Sequence, residues 1–358
     1  MISLIVFLFV LGLLIIVHEF GHFIAAKKVG VRVEQFSLGF GKPIFKKKKD
    51  GVDYSINAIP LGGFVKLAGD NLEEFKGNSD EYLAKPPGKR AIVIALGPIL
   101  NYALGFLCFW LIFFVGYPTL TTKVGGLMEG YGAKNAGIEI GDRIIAIDGN
   151  SVTYWEDLQK IIHTRKEANI IKLSVLRKQK KLDFNVSVQE KQMQDLIGSK
   201  QNVGLIGVTP ADDIIKIRHG FFESFFLGAQ KTWDLTILTY HALWRMIIGK
   251  LSFRESVTGP LGIFYITSKA AQMGIIAVLH LVAVLSISLC IFNLLPLPVL
   301  DGGHLVLLLI EKIRKKGLSI KMERIITQFG FSLIIALALL ATINDLLRFK
   351  DKIFGFLK

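Results

Sequence analysis

Cysteine is scarce in this sequence, with only two residues among 358. Both Cys108 and Cys290 lie inside apolar runs, where cysteine usually serves as a small buried hydrophobe. The sequence therefore excludes a disulfide framework and a cysteine-based zinc cluster. Charged residues are also few, at 20% of the chain against 51% hydrophobic residues. A soluble domain rarely shows this balance.

Four apolar runs hold most of the hydrophobic residues, at 2–17, 91–116, 274–300 and 325–343. The last three contain no Lys, Arg, Asp or Glu, and each is long enough to cross roughly 30 Å of hydrocarbon as a helix. The first reaches that length when residues 18–26 are added. The sequence thus predicts a polytopic α-helical membrane protein with about four transmembrane helices.

The first run lacks the features of a cleaved signal peptide. No Lys or Arg precedes Lys27, and no small-residue cleavage pattern lies at the right place. We therefore expect this run to remain as a membrane helix.

The formal net charge of +14 comes without a stacked-aromatic basic stripe or a nucleic-acid reader motif. Basic residues instead concentrate in the segment after span one, in the segment before span two, and between spans three and four. By the positive-inside rule, residues 27–90 are expected to be cytoplasmic, and the N-terminus and residues 118–273 outside. The basic C-terminal tail departs mildly from this pattern.

The polar segments between the spans suggest four regions. Residues 1–117 form an N-terminal membrane core, in which "VDYSINAIPLGGFVKLAG" predicts a membrane-associated β-hairpin region on the cytoplasmic side. Residues 118–210 form a separate domain, and residues 274–358 form the C-terminal membrane core. Between them, 211–273 is an amphipathic linker region, whose aromatic segment 214–249 favours an interfacial helix, with a fifth span as the alternative.

The separate domain contains "AGIEIGDRIIAIDGNSV". This stretch predicts a strand at "RIIAI", a turn at Asp148 and Gly149, a helix from about Trp155, and then two alternating strands. The order and the residues resemble a bacterial PDZ domain. The resemblance implies an inserted extracytoplasmic α+β domain with a groove for an extended or C-terminal peptide. The alternative is a small domain that only packs on the membrane part.

The first span carries "HEFGH". His18 and His22 are four residues apart, so they share one helix face and can hold one metal ion together. Glu19 lies on the flank of the same face, where it can take a proton from a metal-activated water. Ionisable side chains are costly inside a membrane, which favours a catalytic role over a structural one.

A catalytic zinc site usually has three protein ligands and an open position. Asp301, in "NLLPLPVLDGGH", is the best candidate for the third ligand. By the predicted topology, spans one and three run in the same direction and carry the histidines and Asp301 near their inner ends. His304 is the rival ligand. Intramembrane Asn293 and Asn101 can either serve the site or tie helices together.

The motifs "HEFGH", "IPLGGFVKLAG", "GPILNYALGF", "TGPLGI" and "NLLPLPVLDGGH" occur in this order. Together they resemble the site-2 protease family of intramembrane zinc metalloproteases, in the bacterial regulator-of-sigma-E protease form with a single PDZ domain. The resemblance implies one Zn²⁺ ion bound by His18, His22 and Asp301, with Glu19 as the catalytic base. It also implies substrate-binding roles, which fall on Asn293, Pro296, Pro298, Leu61, Gly62 and Gly63.

The expected function is hydrolysis of a peptide bond within or near the transmembrane segment of membrane-protein substrates, such as anti-sigma factors, in regulated intramembrane proteolysis. The expected location is the bacterial inner membrane, with the active site near the cytoplasmic side. A catalytically inactive PDZ-bearing membrane adaptor is the alternative, but it predicts a damaged zinc set. A metal or proton transporter predicts polar groups along the full depth of the spans, whereas here they cluster at one end.

Overall fold

The computed structural model describes residues 2–165, 170–194, 200–317 and 319–356, without the side chains of some of them, Leu61 included. The chain divides into two compact units. The first unit comprises Met1–Ile112, Ser224–Met246 and Ser252–Lys358. The second comprises Phe113–Glu223 and Ile247–Leu251.

The secondary structure alternates between helical segments and strands. In chain order the elements are α1 (Ile2–Lys28), β1 (Val33–Lys49), β2 (Val52–Leu67), α2 (Pro87–Val115), β3 (Tyr117–Leu120), β4 (Val124–Leu127), α3 (Gly132–Asn135), β5 (Arg143–Ile147), β6 (Asn150–Ser151), α4 (Trp155–His163), β7 (Ile170–Arg177), β8 (Lys180–Ser187), β9 (Gln189–Gln194), β10 (Lys200–Leu205), β11 (Val208–Pro210), β12 (Ile214–Ile217), α5 (Phe221–Ile247), α6 (Phe253–Ser256), α7 (Pro260–Met273), α8 (Ile275–Asn293), α9 (Asp301–Arg314) and α10 (Ile320–Phe356).

Four helices in the described part of the chain are long and apolar enough to cross a membrane. They are Ile2–Lys28, Pro87–Val115, Ile275–Asn293 and Arg324–Arg348. Each of these helices overlaps one of the four apolar runs, so the expected number of such helices is confirmed. The third ends at Asn293 because Pro296 and Pro298 cannot continue a helix.

Helices α1 and α2 cross where each carries a glycine. A β-carbon on Gly21 would lie 2.3 Å from the carbonyl oxygen of Leu96, and one on Gly97 would lie 2.3 Å from Nε2 of His22. Because no side chain fits at either position, the two helices approach closely, as small residues allow in membranes. This close approach places the ring of His22 directly against α2.

Strands β1 and β2 pair along their whole length and also fold over one another. Phe36 of β1 pairs with both Val65 and Tyr54 of β2, while Phe45 pairs with Ile56. The pairing therefore sets four segments side by side, in the order 63–66, 35–38, 53–56 and 45–49. We call this arrangement the membrane-core sheet. Segments 63–66 and 45–49 lie at its two edges.

The membrane-core sheet packs against the second half of α1. The ring of Phe23 contacts the rings of Phe36 and Tyr54, with centroids 5.5 and 6.1 Å away. Around it lies one buried apolar cluster, which comprises Phe23, Ala25, Ala26, Val31, Val33, Val52, Leu67 and Val93. Burial of these side chains holds segment 63–66 beside the "HEFGH" turns of α1.

Helix α5 is the aromatic-rich segment, and its packing lies within the first unit. A β-carbon on Gly228 would lie 2.9 Å from the backbone nitrogen of Trp110, and the hydroxyls of Thr236 and Tyr102 are 3.1 Å apart. The two contacts are separated by eight residues on each helix, and they follow each other in opposite order along α5 and α2. Helix α5 therefore runs antiparallel along α2, on a stripe of small residues: Ser224, Gly228, Thr232 and Thr236.

The "TGPLGI" motif begins α7 and is held by a buried carboxylate of α10. Asp345 is 1% exposed and accepts hydrogen bonds from the backbone N–H groups of Gly259 and Gly262, at 3.1 and 2.8 Å. A carboxylate at a helix N-terminus satisfies amides that have no partner within the helix. Asp345, which lies in the candidate span Arg324–Arg348, therefore has a structural role as the cap of α7.

The second unit is built on a four-stranded antiparallel sheet in the order β6-β5-β7-β8. Its strands and helix α4 lie where the sequence predicted them. Asp148 and Gly149 form the tight turn between β5 and β6, with φ of 49° and 85°, as a two-residue hairpin of this kind requires. The core under the sheet includes Ile144, Leu158 and Leu173, each at most 1% exposed.

One buried ion pair organises the turn before β5. Arg177 donates to both carboxylate oxygens of Asp142, at 2.8 and 2.7 Å, and to Glu139 at 2.6 Å. Burial alone would raise the pKa of Asp142, but hydrogen bonds from Arg177 and from the backbone amide of Glu139 outweigh it and lower that pKa. The ionised carboxylate therefore stabilises the folded unit.

Asp142→Asn is expected to destabilise the second unit at neutral pH by roughly 2 kcal/mol, because charged hydrogen bonds to Arg177 are lost. A depressed folded pKa contributes stability above the unfolded pKa and loses it as pH falls through the folded value. The difference from wild type should therefore shrink below about pH 4. Hydrogen exchange of β5 and β7 in urea, at neutral pH and below about pH 4, measures this difference in stability. An equal destabilisation under both conditions would contradict a stabilising role for the ionised Asp142 carboxylate.

Candidate metal centre and active site

The two histidines of α1 converge on one point. His18 and His22 lie one turn apart, and their Nε2 atoms are 3.2 Å from each other. Their ring planes are nearly perpendicular, at 86°. Both side chains are mostly buried, at 13% and 15% exposed. The spacing of four residues on a helix thus produces a paired imidazole site, as the sequence predicted.

Asp301 completes this cluster from the start of α9. One carboxylate oxygen lies 3.2 Å from Nε2 of His18, and the other lies 3.7 Å from Nε2 of His22. His304 also faces the adjoining cavity, but the cluster of three consists of His18, His22 and Asp301. The structure therefore brings the favoured third ligand to the histidines.

The turn before Asp301 is fixed by close backbone packing. A β-carbon on Gly302 would lie 2.3 Å from the carbonyl oxygen of Leu294, and one on Gly303 would lie 2.1 Å from that of Leu297. The turn also contains Val299 at φ +76°, a strained conformation for a β-branched residue. The two glycines after Asp301 let the proline-broken segment fold tightly under the carboxylate.

The three side chains fit a zinc ion. Ligand atoms at about 2.0–2.2 Å from a tetrahedral zinc ion lie about 3.3–3.6 Å from one another, and the two Nε2 atoms are 3.2 Å apart. Oδ2 of Asp301 lies 3.2 Å from His18 and Oδ1 lies 3.7 Å from His22. With one oxygen of Asp301, the three ligand atoms lie within 4.8 Å of one another. Oδ2 of Asp301 is buried without a hydrogen bond from any described residue, an arrangement that a cation would satisfy. Three ligands leave a fourth position for water.

Each histidine is oriented through its other ring nitrogen. Nδ1 of His22 is 2.9 Å from the carbonyl oxygen of Val93, so Nδ1–H donates and Nε2 keeps its lone pair for a metal. Nδ1 of His18 faces the side-chain amide of Asn101 at 3.4 Å. Asn101 is fully buried, and its Oδ1 has no hydrogen-bond partner in the described structure. Rotating this amide by half a turn lets Oδ1 accept from Nδ1–H of His18.

Glu19 lies beside the metal ligands, against the edge of the membrane-core sheet. The backbone of Val65 hydrogen-bonds to the Glu19 carboxylate. A β-carbon on Gly63 would lie 3.3 Å from Cγ of Glu19. Glu19, His22 and Asp301 all line one cavity of about 490 Å³. The acid, the ligands and a polypeptide edge therefore share one space that can hold water.

Several charged or polar side chains from distant parts of the chain line the cavity. Arg90 is buried and pairs with Glu311, 221 residues away in the chain, and no local pattern indicates this contact. Asp70 and Tyr82 also line the cavity, and burial raises the pKa of both groups. The lining of the cavity therefore includes charged and polar side chains beside its apolar ones.

The expected substrate-binding residues lie on segments that lead to Asp301 or to the sheet edge beside Glu19. Asn293 is the last residue of α8, and Pro296 and Pro298 lie in the turn to Asp301. Gly62 has φ +103° and lies against the ring of Phe40, while Gly63 lies beside Glu19. Leu61 belongs to β2, and its side chain is outside the described part.

Asn101→Leu is expected to weaken zinc binding by about 10- to 100-fold, because His18 loses the acceptor that orients its ring. Asn101→Asp keeps an oxygen acceptor and should bind zinc with near wild-type affinity. Chelator competition on the purified protein measures this. If Asn101 only ties helices together, the leucine variant will lose thermal stability in the metal-free state and keep its zinc affinity.

Comparison with known proteins assigns this site to a class. The sequence model of Peptidase family M50 matches residues 6–337. The chain belongs to this family of site-2 proteases, which confirms the resemblance seen in its motifs, and it is a metalloprotease.

Individual relatives match over nearly their whole length. A protein of Agrobacterium fabrum that bears a zinc metalloprotease name is 32% identical, over 95% of this chain and 94% of the relative. The regulator of sigma-E protease of Escherichia coli is 28% identical, over 96% of this chain and 98% of the relative. Among solved structures, the PDZ domain of an SdrC-like protein from Listeria monocytogenes is 22% identical. It covers 27% of this chain and 90% of its own, with a TM-score of 0.21.

Proposed function

We propose that this protein hydrolyses a peptide bond within or near the transmembrane segment of membrane-protein substrates. His18, His22 and Asp301 hold one zinc ion, and Glu19 is the general base. The observation that carries the proposal is the convergence of three ligand atoms from α1 and α9, with a carboxylate beside them, among apolar helices.

The bound zinc supplies a Lewis acid that polarises the scissile carbonyl and makes water acidic near neutral pH. Glu19 takes the proton from the attacking water and delivers it to the leaving amine. The backbone of Val65 and Gly63 lies against the Glu19 side chain and limits the directions in which its carboxylate can point. The polar cavity supplies water to a site that the spans would otherwise keep dry.

A helical substrate must unwind before cleavage, because its carbonyl groups are bonded within the helix. Segment 63–66 is an edge of the membrane-core sheet and pairs only with segment 35–38 among the described residues. It can therefore accept the unwound substrate as an added strand. Leu61, Gly62 and Gly63 lead into this edge, and Asn293, Pro296 and Pro298 hold the substrate from the opposite side.

The second unit acts on the substrate outside the membrane, as a PDZ domain. A small cavity of about 70 Å³ lies between α4 and the strand that follows Gly207. Apolar side chains dominate its lining, among them Met128, Leu158, Ile162, Leu205 and Val208. This groove would take the trimmed end of a substrate, or the domain would exclude untrimmed substrates by size.

The names of the relatives support a substrate class, and the distribution of basic residues supports a location. The relatives' names as regulators of sigma E favour single-span anti-sigma factors as substrates. The basic segments 27–90 and 312–324 favour a position in the bacterial inner membrane with the active site near the cytoplasmic side and the PDZ domain outside.

Glu19→Gln is expected to lower cleavage of a single-span reporter by about 10²- to 10⁴-fold, because the general base is lost. Its zinc content should equal that of wild type. His18→Ala and Asp301→Ala should instead lose zinc. Cleavage in detergent and metal analysis of the purified protein measure both effects, with Glu73→Gln, an exposed acid, as the matched control. Wild-type cleavage by Glu19→Gln, or full zinc in the ligand variants, would refute the assignment.

A further inference from the structure

The outer edge of the membrane-core sheet carries four consecutive lysines, Lys46 to Lys49, all exposed. The two residues at 44 and 45, just before them, are apolar and also exposed: Ile44 at 74% and Phe45 at 56%. An edge segment that changes from apolar to strongly basic along its length has the composition of an interfacial anchor. The catalytic mechanism uses none of these side chains.

The packing of the sheet fixes the depth of this segment relative to α1. Lys49 pairs with Val52, which is buried in one cluster with Ala25 and Ala26, just before the basic end of α1. The sheet's far end is much deeper, because Gly63 lies against Ile15, about 20 Å from the end of α1.

Lys49 therefore lies close to the level at which α1 leaves the hydrocarbon, and Lys46 lies about 10 Å further along the span, from where a long lysine side chain can snorkel back to the interface. Phe45 pairs with Ile56, which is four residues beyond Val52 in β2, so it lies about 13 Å deeper. The apolar end of the segment thus lies toward the middle of the span, and its basic end lies near the end of α1. This is the order in which hydrocarbon and headgroups follow each other in a bilayer.

The arrangement of the lysines favours a surface over a small ligand. Successive side chains of a strand point to opposite faces, so four lysines in a row build no common pocket. Among described residues, only Lys46 has an acidic partner, Asp53 at 3.0 Å. The others offer unneutralised charge on both faces of the strand.

We propose that segment 44–49 anchors the membrane-core sheet to anionic phospholipid headgroups. The lysines bind the headgroup phosphates, and Ile44 and Phe45 enter the hydrocarbon beside them. Each lysine near such a surface contributes roughly a fivefold gain in binding.

The anchor is connected to the active site through the sheet itself. Ser37, at the centre of the sheet, hydrogen-bonds to Ser55 at 2.9 Å and accepts from the Asn57 amide at 2.8 Å, all of them buried. These bonds join segment 53–56, next to the anchor, to segment 35–38, next to the catalytic edge. We therefore infer, resting on the proposed function, that anionic lipid raises the rate of cleavage by holding the catalytic edge against Glu19.

The test uses full-length protein in vesicles of phosphatidylcholine, with and without phosphatidylglycerol. The variant K46Q/K47Q/K48Q/K49Q removes the basic edge, and K178Q/K180Q/K181Q removes exposed lysines of the β7–β8 hairpin as the matched control. A fluorophore attached at Phe45→Cys, in the Glu19→Gln background, reports insertion by quenching from lipid-borne quenchers. This readout is independent of catalysis.

Phosphatidylglycerol should deepen insertion and raise cleavage of the reporter about tenfold or more in wild type and in the control. The four-lysine variant should show neither effect, while its cleavage in detergent stays at the wild-type level. Equal insertion of the variant and wild type would overturn the anchor. If free inorganic phosphate at equal ionic strength abolished the effect of phosphatidylglycerol on wild-type insertion, the lipid surface would be ruled out as the ligand of the lysines. Failure of the proposed function alone would abolish cleavage and leave the insertion difference intact.

Discussion

The structure depends on one constraint: a carboxylate and two imidazoles must meet where the surrounding helices are apolar. Asp301, His18 and His22 bring atoms suited to bind a metal within 4.8 Å of one another. One buried oxygen of Asp301 has no hydrogen bond from the described residues, an arrangement that a cation would satisfy. Other close contacts follow from this. Gly97 makes room for the ring of His22, and the two glycines after Asp301 make room for the turn that carries it.

The local patterns of the sequence predicted much of this arrangement. The spacing of His18 and His22 predicted a shared helix face, and the prolines at 296 and 298 predicted a break before Asp301. The strands around the Asp148–Gly149 turn also fell where alternation indicated. Each of these features is decided by neighbours within a few residues, so periodicity and turn chemistry suffice to find it.

Contacts between distant segments were not predictable in the same way. The double pairing of Phe36, the packing of α5 along α2, and the Arg90–Glu311 pair all join residues that no periodicity relates. Asn101 is an intermediate case. Its position in an apolar run marked it as unusual, but only the fold showed that its amide faces the outer nitrogen of His18. Polar residues in spans thus divide into those that lie at the histidine–aspartate cluster and those, such as Asp345, that cap a helix.

The distance in sequence between His18 and Asp301 has a consequence for the life of the protein. During synthesis, α1 enters the membrane long before α9 exists, so the nascent chain carries two histidines and a glutamate with no third ligand. His18 and His22 can meet Asp301 only once the last sixth of the chain is being made and the proline turn has folded. A chain that stops before α9 therefore lacks the complete cluster, because only the C-terminal helices contribute Asp301.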